Sequence, residues 1–124
     1  MSNAREDMYL ITSSIERAGT EGDFFAIWFM KPETPRDRIE IFDGASNVIG
    51  HEYIGLFRSY AYGTVFDCNE RLELTLWQQY FSTSEPSKGN LLKTERYENA
   101  DFLMVFGEGE KLLERVCDLG GFQN

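Results

Sequence analysis

Alternation of apolar and polar positions is the clearest regularity in the chain, and it runs longest over 71–81, RLELTLWQQYF. Leu72, Leu74 and Leu76 fall on one side of an extended chain there, and Arg71, Glu73, Thr75 and Trp77 on the other. A period of two among β-formers predicts a half-buried strand. The leucine side is expected to face a core. The second side carries a charge pair and then a large ring, which makes it the surface of most interest. The pattern recurs over 37–42 (DRIEIF), with Ile39 and Ile41 inward, and over 60–66, where Tyr60, Tyr62, Thr64 and Phe66 share a side. Residues 24–30 (FFAIWFM) are apolar without alternation. So short and ring-rich a run predicts a strand buried on both faces.

Between these lie weaker signals. Residues 8–12 (MYLIT) read as a first strand, and 15–23, with Gly19 and Gly22, as a loop or short helical turn. Pro32 and Pro35 break the chain, and Asp43-Gly44 begins a turn. Residues 48–66 mix aromatics with interior glycines, which suits bent or bulged strands. Residues 67–70 (DCNE) fit a hairpin loop leading into the leucine strand. Residues 82–90 (STSEPSKGN) read as an exposed loop, 91–97 as a strand, and 101–106 (DFLMVF) as a fully apolar strand. A helix is expected over 109–119, its buried face being Leu112, Leu113, Val116 and Leu119. Glu108 and Glu110 sit at the positive end of its dipole, and Gly120 is placed as the C′ residue.

These elements predict an α+β fold: a curved, mainly antiparallel sheet of about 5–7 strands with one C-terminal α-helix packed on one face. Residues 1–7 read as a tag or a disordered N-terminus, and 8–124 as a single domain. One short helix cannot cover both faces of such a sheet. The remaining aromatics must close the sheet on itself, line a groove or meet a partner.

Composition narrows the function. The 124 residues suit one core that buries roughly two-thirds of the unfolded surface. Aromatics make up 15% of the chain, which argues for order. The formal charge is −9, with 6 basic and 10 acidic residues up to position 62 and 6 and 11 after it, so the acidity is spread rather than a tail. Such a field disfavours nucleic acid and anionic membranes and favours a cationic partner. No apolar run suggests a membrane span or a leader. Cys68 and Cys117 show no framework pattern, and reduced thiols in the cytoplasm are expected.

No motif names a reaction. His51 is the single histidine and no paired Cys or His spacing exists, so neither a metal nor a cofactor is expected. Cys68 and His51 form the one conceivable nucleophilic pair, but a turn cysteine and a surface histidine are the simpler reading. Residues 106–111 (FGEGEK) resemble a phosphate loop in outline, yet lack the third glycine and carry two repelling glutamates. Among so many acidic residues, carboxylate pairs such as Glu110/Glu114 arise by chance.

The reading is therefore a non-enzymatic acidic protein-binding domain. Its most concrete form is an immunity or inhibitor protein that neutralises a basic bacterial toxin such as a nuclease. Aromatics framed by carboxylates anchor and steer a basic partner, and the candidate residues are Asp37, Glu40, Glu70, Glu73 and Trp77. One alternative is a small-molecule binder or small enzyme with an aromatic cavity built from Trp28, Tyr60, Tyr62, Phe66 and Trp77. Another is a homo-oligomeric structural or adaptor domain.

Overall fold

The computed structural model describes residues 8–19 and 21–122. The expectation for residues 1–7 lies outside the described residues. Among the described residues eight strands and one α-helix follow in order: β1 (Tyr9–Arg17), β2 (Asp23–Met30), β3 (Arg36–Phe42), β4 (Val48–Phe57), β5 (Ser59–Asp67), β6 (Leu72–Phe81), β7 (Leu91–Arg96), β8 (Leu103–Met104) and α1 (Glu108–Leu119). The main antiparallel sheet has the order β1-β2-β5-β6-β7, with β8 paired to β6. Strands β3 and β4 form a separate hairpin. The expected α+β architecture, a mainly antiparallel sheet with one C-terminal helix, is the observed one, with β3 and β4 as a second, small sheet. Among the described residues no helix is long and apolar enough to cross a membrane.

The helix forms where its apolar stripe predicts, and it covers one face of the sheet. Leu112, Leu113, Val116 and Cys117 pack on Phe24, Ala26, Trp28, Phe66 and Cys68. Leu119, expected in that stripe, is 54% exposed, and Cys117 takes the inward place. The C-terminus is closed one residue later than the sequence suggests. Gly121, at φ 87°, is the left-handed residue. Its N–H donates to the Asp118 carbonyl (3.1 Å), and the Phe122 N–H donates to that of Cys117 (2.9 Å). Those two bonds are the Schellman pair, and the left-handed φ is cheapest for glycine.

The expectation of reduced thiols is corrected. Cys68, just past β5, and Cys117, on the inner side of α1, form a disulfide. The helix stripe brings Cys117 down onto the strand end that carries Cys68, a juxtaposition that linear spacing does not reveal.

Two strands depart from their expected lengths. β1 continues through Ile15–Arg17, where a loop was expected. A bulge between Ile11 and Glu16 makes this continuation possible. Ser14 Oγ holds the bulge, donating to the Ile11 carbonyl (2.6 Å) and accepting from the Ile27 N–H (2.7 Å). Conversely, the apolar run 101–106 forms only the two-residue β8, with Leu103 and Met104 about two-thirds exposed. It lies at the margin of β6, outside the core.

Candidate functional site

The leucine strand is where pattern and structure diverge, and the divergence creates the site. Cross-strand partners in a sheet point to the same side. Phe66, beneath the helix, pairs with Glu73, so Glu73 lies on the helix side. Further along, Thr64 pairs with Thr75 but Gly63 pairs with Trp77, so one step on β5 matches two on β6. Leu76 is the extra residue, and its carbonyl accepts the Tyr97 N–H (2.9 Å). This bulge inverts the alternation. Leu72, Leu74 and Trp77 share one face, and Glu73, Thr75, Gln78 and Tyr80 the other. The helix lies against β1, β2 and β5 on the second of these faces. The side that carries Leu72 and Leu74, expected to face a core, is therefore the side the helix leaves bare.

On the first face Phe29, Ala61 and Phe81 form a small buried cluster at one end, with Ile11, Ile27 and Trp77 packed against it, and the helix does not lie over this side. Its centre is Phe25, Ile27, Val65, Leu74 and Trp77, all half-buried. Trp77 lies flat over Gly63, where any side chain would collide with the indole. Its ring centroid is 6.4 Å from that of Phe25. The ring stacks on backbone because a glycine leaves room for it. Towards the turn end, the strand ends bring carboxylates together on the same side. Asp23 pairs with Asp67, and Glu16 pairs with Phe25. Burial, and then the Asp67 charge, raise the Asp23 carboxyl above its ordinary range. Asp67 also caps its own turn, accepting the N–H groups of Asn69 and Glu70 at 3.0 Å each. At the opposite border Arg96 pairs with Trp77.

The five sequence-nominated residues separate accordingly. Trp77 is at the centre of the open face, and Glu70, exposed in the β5–β6 turn, stands at its acidic end. Glu73 is half-buried on the reverse face, where burial raises its carboxyl above the ordinary range. Asp37 and Glu40 lie on β3, in the separate hairpin that packs against Tyr80. Asp23, Asp67 and Glu16 were missed. Asp67 read as the start of the 67–70 hairpin loop and Asp23 as the end of a separate segment, 15–23, and only the β2–β5 register places them side by side.

The residues nominated for an aromatic cavity do not enclose one. Trp28 stacks on Tyr62 in the core (4.5 Å), Phe66 is fully buried under the helix, and Trp77 is on the other side of the sheet. The Trp28 indole N–H donates to Thr64 Oγ1 (3.0 Å), so the buried ring is satisfied. Tyr60 and Tyr62 instead line an open cleft of about 400 Å³ between the β3–β4 hairpin and the sheet, together with Tyr80, Tyr97, Gln78 and Glu95. The Tyr80 hydroxyl donates to Glu95 (3.1 Å) and that of Tyr97 to Gln78 Oε1 (2.7 Å). Burial, and then the Glu95 charge, push both phenols above their usual range, so they remain hydrogen-bond donors.

The remaining chemistry is quiet. Cys68 is bonded to Cys117 and has no thiolate to offer. His51 is exposed on β4, opposite Glu40. Glu110 and Glu114 are held by Arg71 at 3.4 and 2.9 Å. Among the described residues no cluster of His, Cys, Asp or Glu is placed to hold a metal ion. Neither a known protein family, nor a curated protein, nor a solved structure matches the chain.

Proposed function

We propose that this is a non-enzymatic domain that captures a basic protein on its open sheet face, as an inhibitor or immunity protein for a bacterial toxin such as a nuclease would. The observation that carries the reading is the half-buried apolar stretch Phe25, Ile27, Val65, Leu74 and Trp77 on the side the helix leaves bare, with carboxylates at one end. An antiparallel sheet that meets only water is expected to alternate apolar-in with polar-out. Here the outward positions are Phe25, Ile27, Val65, Leu74 and Trp77. A contiguous apolar patch with a polar border is the usual mark of a protein interface. A Trp lying flat at its centre is the typical energetic anchor. Glu16, Asp23, Asp67 and Glu70 would steer a cationic partner, reinforced by the overall charge of −9. That same charge opposes pairing of two copies, which disfavours the homo-oligomer reading. The Cys68–Cys117 disulfide favours an oxidising compartment over the cytoplasm.

The test is a complex with the basic product of the adjacent gene. Trp77→Ala should weaken binding about 30-fold, the cost of losing an interface anchor of roughly 2 kcal/mol. Reversing Glu16 and Glu70 to Lys should slow association and flatten its dependence on salt. A complex that forms equally well with Trp77→Ala, or whose association rate ignores salt, sinks the proposal. Concentration-dependent dimerisation in sedimentation, abolished by Trp77→Ala, would assign the face to self-association instead.

A further inference from the structure

The apolar run 101–106 stands in the fold without being used by its core. β8 pairs through Leu103 with Glu73 and through Met104 with Leu72, and among the described residues its outer edge has no strand partner. β7 pairs with β6 only from Trp77 onward, so Leu74 and Thr75 have no strand partner on that edge either. Cross-strand partners point to one side, which directs Leu103 to the helix side with Glu73 and Met104 to the opposite side with Leu72. Neither side chain is covered. Leu103 and Met104 are 65% and 67% exposed, and Phe106 beyond them is 75% exposed. Side chains bared on both sides of one strand are not explained by the core of this domain.

Edge strands are usually guarded against pairing with another chain by a charge, a proline or a short length. Residues 102–106 (FLMVF) carry no charge and no proline, so the short length of β8 is the guard. It is the pairing that is short, since the apolar run continues to Phe106. Charges flank the run instead. From Glu98 to Glu110 the chain carries Glu98, Asp101, Glu108 and Glu110 and neither Lys nor Arg. Lys111 meets Glu108 at 3.7 Å and Arg71 meets Glu110 at 3.4 Å. Arg96 is registered with Trp77, further along β6. Glu98 and Asp101 are exposed and enter no ion pair between described residues. The free edge is therefore apolar along its length and acidic where the run begins.

We infer that 102–106 is a docking edge to which a partner polypeptide adds a strand, the added segment being apolar and flanked by lysine or arginine. Main-chain hydrogen bonds to the outer edge of β8 supply the affinity, and the bare side chains of Leu103 and Met104 pack against alternate residues of the added strand. Glu98 and Asp101 meet the cations at its end. Charge complementarity selects such a segment over a second copy of this chain, whose edge carries the same carboxylates. The site is an edge and not a face, so it does not depend on capture of a protein at Trp77.

The experiment titrates the full chain with three synthetic peptides at constant ionic strength. They are acetyl-KKVTVTVKK-amide, its acid-flanked form acetyl-EEVTVTVEE-amide, and the basic form with its central amides N-methylated, which keeps the charge but cannot continue a ladder. The readout is the NMR shift and the hydrogen exchange of the backbone amides of Leu103, Met104 and Val105. The basic peptide should give saturable shifts there and slow the exchange. The acidic peptide should bind about tenfold more weakly, and the methylated one should give no shift. Replacing both exposed carboxylates, Glu98→Lys with Asp101→Lys, should reverse the preference between the first two. No saturable shift, equal affinity for the acidic peptide, or binding of the methylated one overturns the inference. Shifts confined to the Trp77 indole and Val65 overturn it too, while leaving the open-face reading intact. Dimerisation in sedimentation that Met104→Lys abolishes would give the edge to a second copy and equally overturn it. Should the lysine variants fail to fold, the comparison of the three peptides on the unaltered chain still decides.

Discussion

Reduction of the Cys68–Cys117 bond should remove about 4 kcal/mol of stability. The bond spans 49 residues of sequence, a loop that includes β6, β7, β8 and most of α1. Closing a loop of that length in the unfolded chain removes entropy worth about 4 kcal/mol at 25 °C in the chain-entropy treatment. Reduction is a clean perturbation here. Both cysteines lie in the core and are only 7% exposed, so the dithiol keeps nearly the same packing and no cavity opens. A domain of this kind has only ~5–15 kcal/mol in total. For a chain of this size the loss corresponds to a fall in Tm of about 15 °C. The assay is urea unfolding with and without dithiothreitol, followed by far-ultraviolet circular dichroism, with free thiols counted in the same samples. Unreduced protein should show none after denaturation. If the midpoint stays in place while both thiols titrate as free, the loop-entropy argument is refuted. Two free thiols in unreduced protein would remove the support for an oxidising compartment as well.

Two further substitutions probe the two faces of the sheet. Gly63→Ala places a methyl group where the Trp77 indole lies, which should lift the ring from the sheet at a cost of about 1–3 kcal/mol. Urea unfolding should report the loss, and tryptophan emission should shift to the red through Trp77 alone, since Trp28 is buried; unchanged emission would show that the ring is not seated there. Glu73→Gln tests the reverse face. Burial raises the Glu73 carboxyl above its ordinary value of 4.5, so the folded state holds that proton more tightly than the unfolded chain does. Glu73 therefore detracts from stability as pH rises through its folded-state pKa, and has no such effect below 4.5. The glutamine variant should have the higher urea midpoint at pH 7 and an equal one well below 4.5. A lower midpoint at pH 7 would show that Glu73 has a favourable charged interaction.

The two sides of this sheet differ in how their surfaces are built. The open face is a product of absence: a single helix can cover one side, and the bulge at Leu76 places Trp77 on the other. The cleft is a product of the β3–β4 hairpin, which folds over the helix side at its far end. Ile39 and Phe57 of that hairpin pack on Tyr80 of β6, and the space left beside them is the tyrosine-lined one. Both surfaces are thus set by how layers stack and not by any local motif.

Local pattern alone determined most of the elements. Alternation located β3 and β6, the ring-rich run located β2, and the i, i+4 stripe located α1, because each depends on a side-chain period that the backbone geometry imposes. The shared face of Tyr60, Tyr62, Thr64 and Phe66 followed for the same reason, since β5 is unbroken there on its own strand. Tertiary structure decided the rest. One inserted residue at Leu76 reverses every side-chain direction beyond it, and no period within β6 announces that insertion. Hence Glu73 and Trp77, grouped on one side by the period, lie on opposite faces. Asp23, Asp67 and Glu16 became neighbours only through strand register, and Cys68 met Cys117 only through the docking of a helix onto a strand end. The run 101–106 is as apolar as a core strand yet lies at the margin, because burial depends on what a segment finds opposite it, and the helix had already taken the covered face.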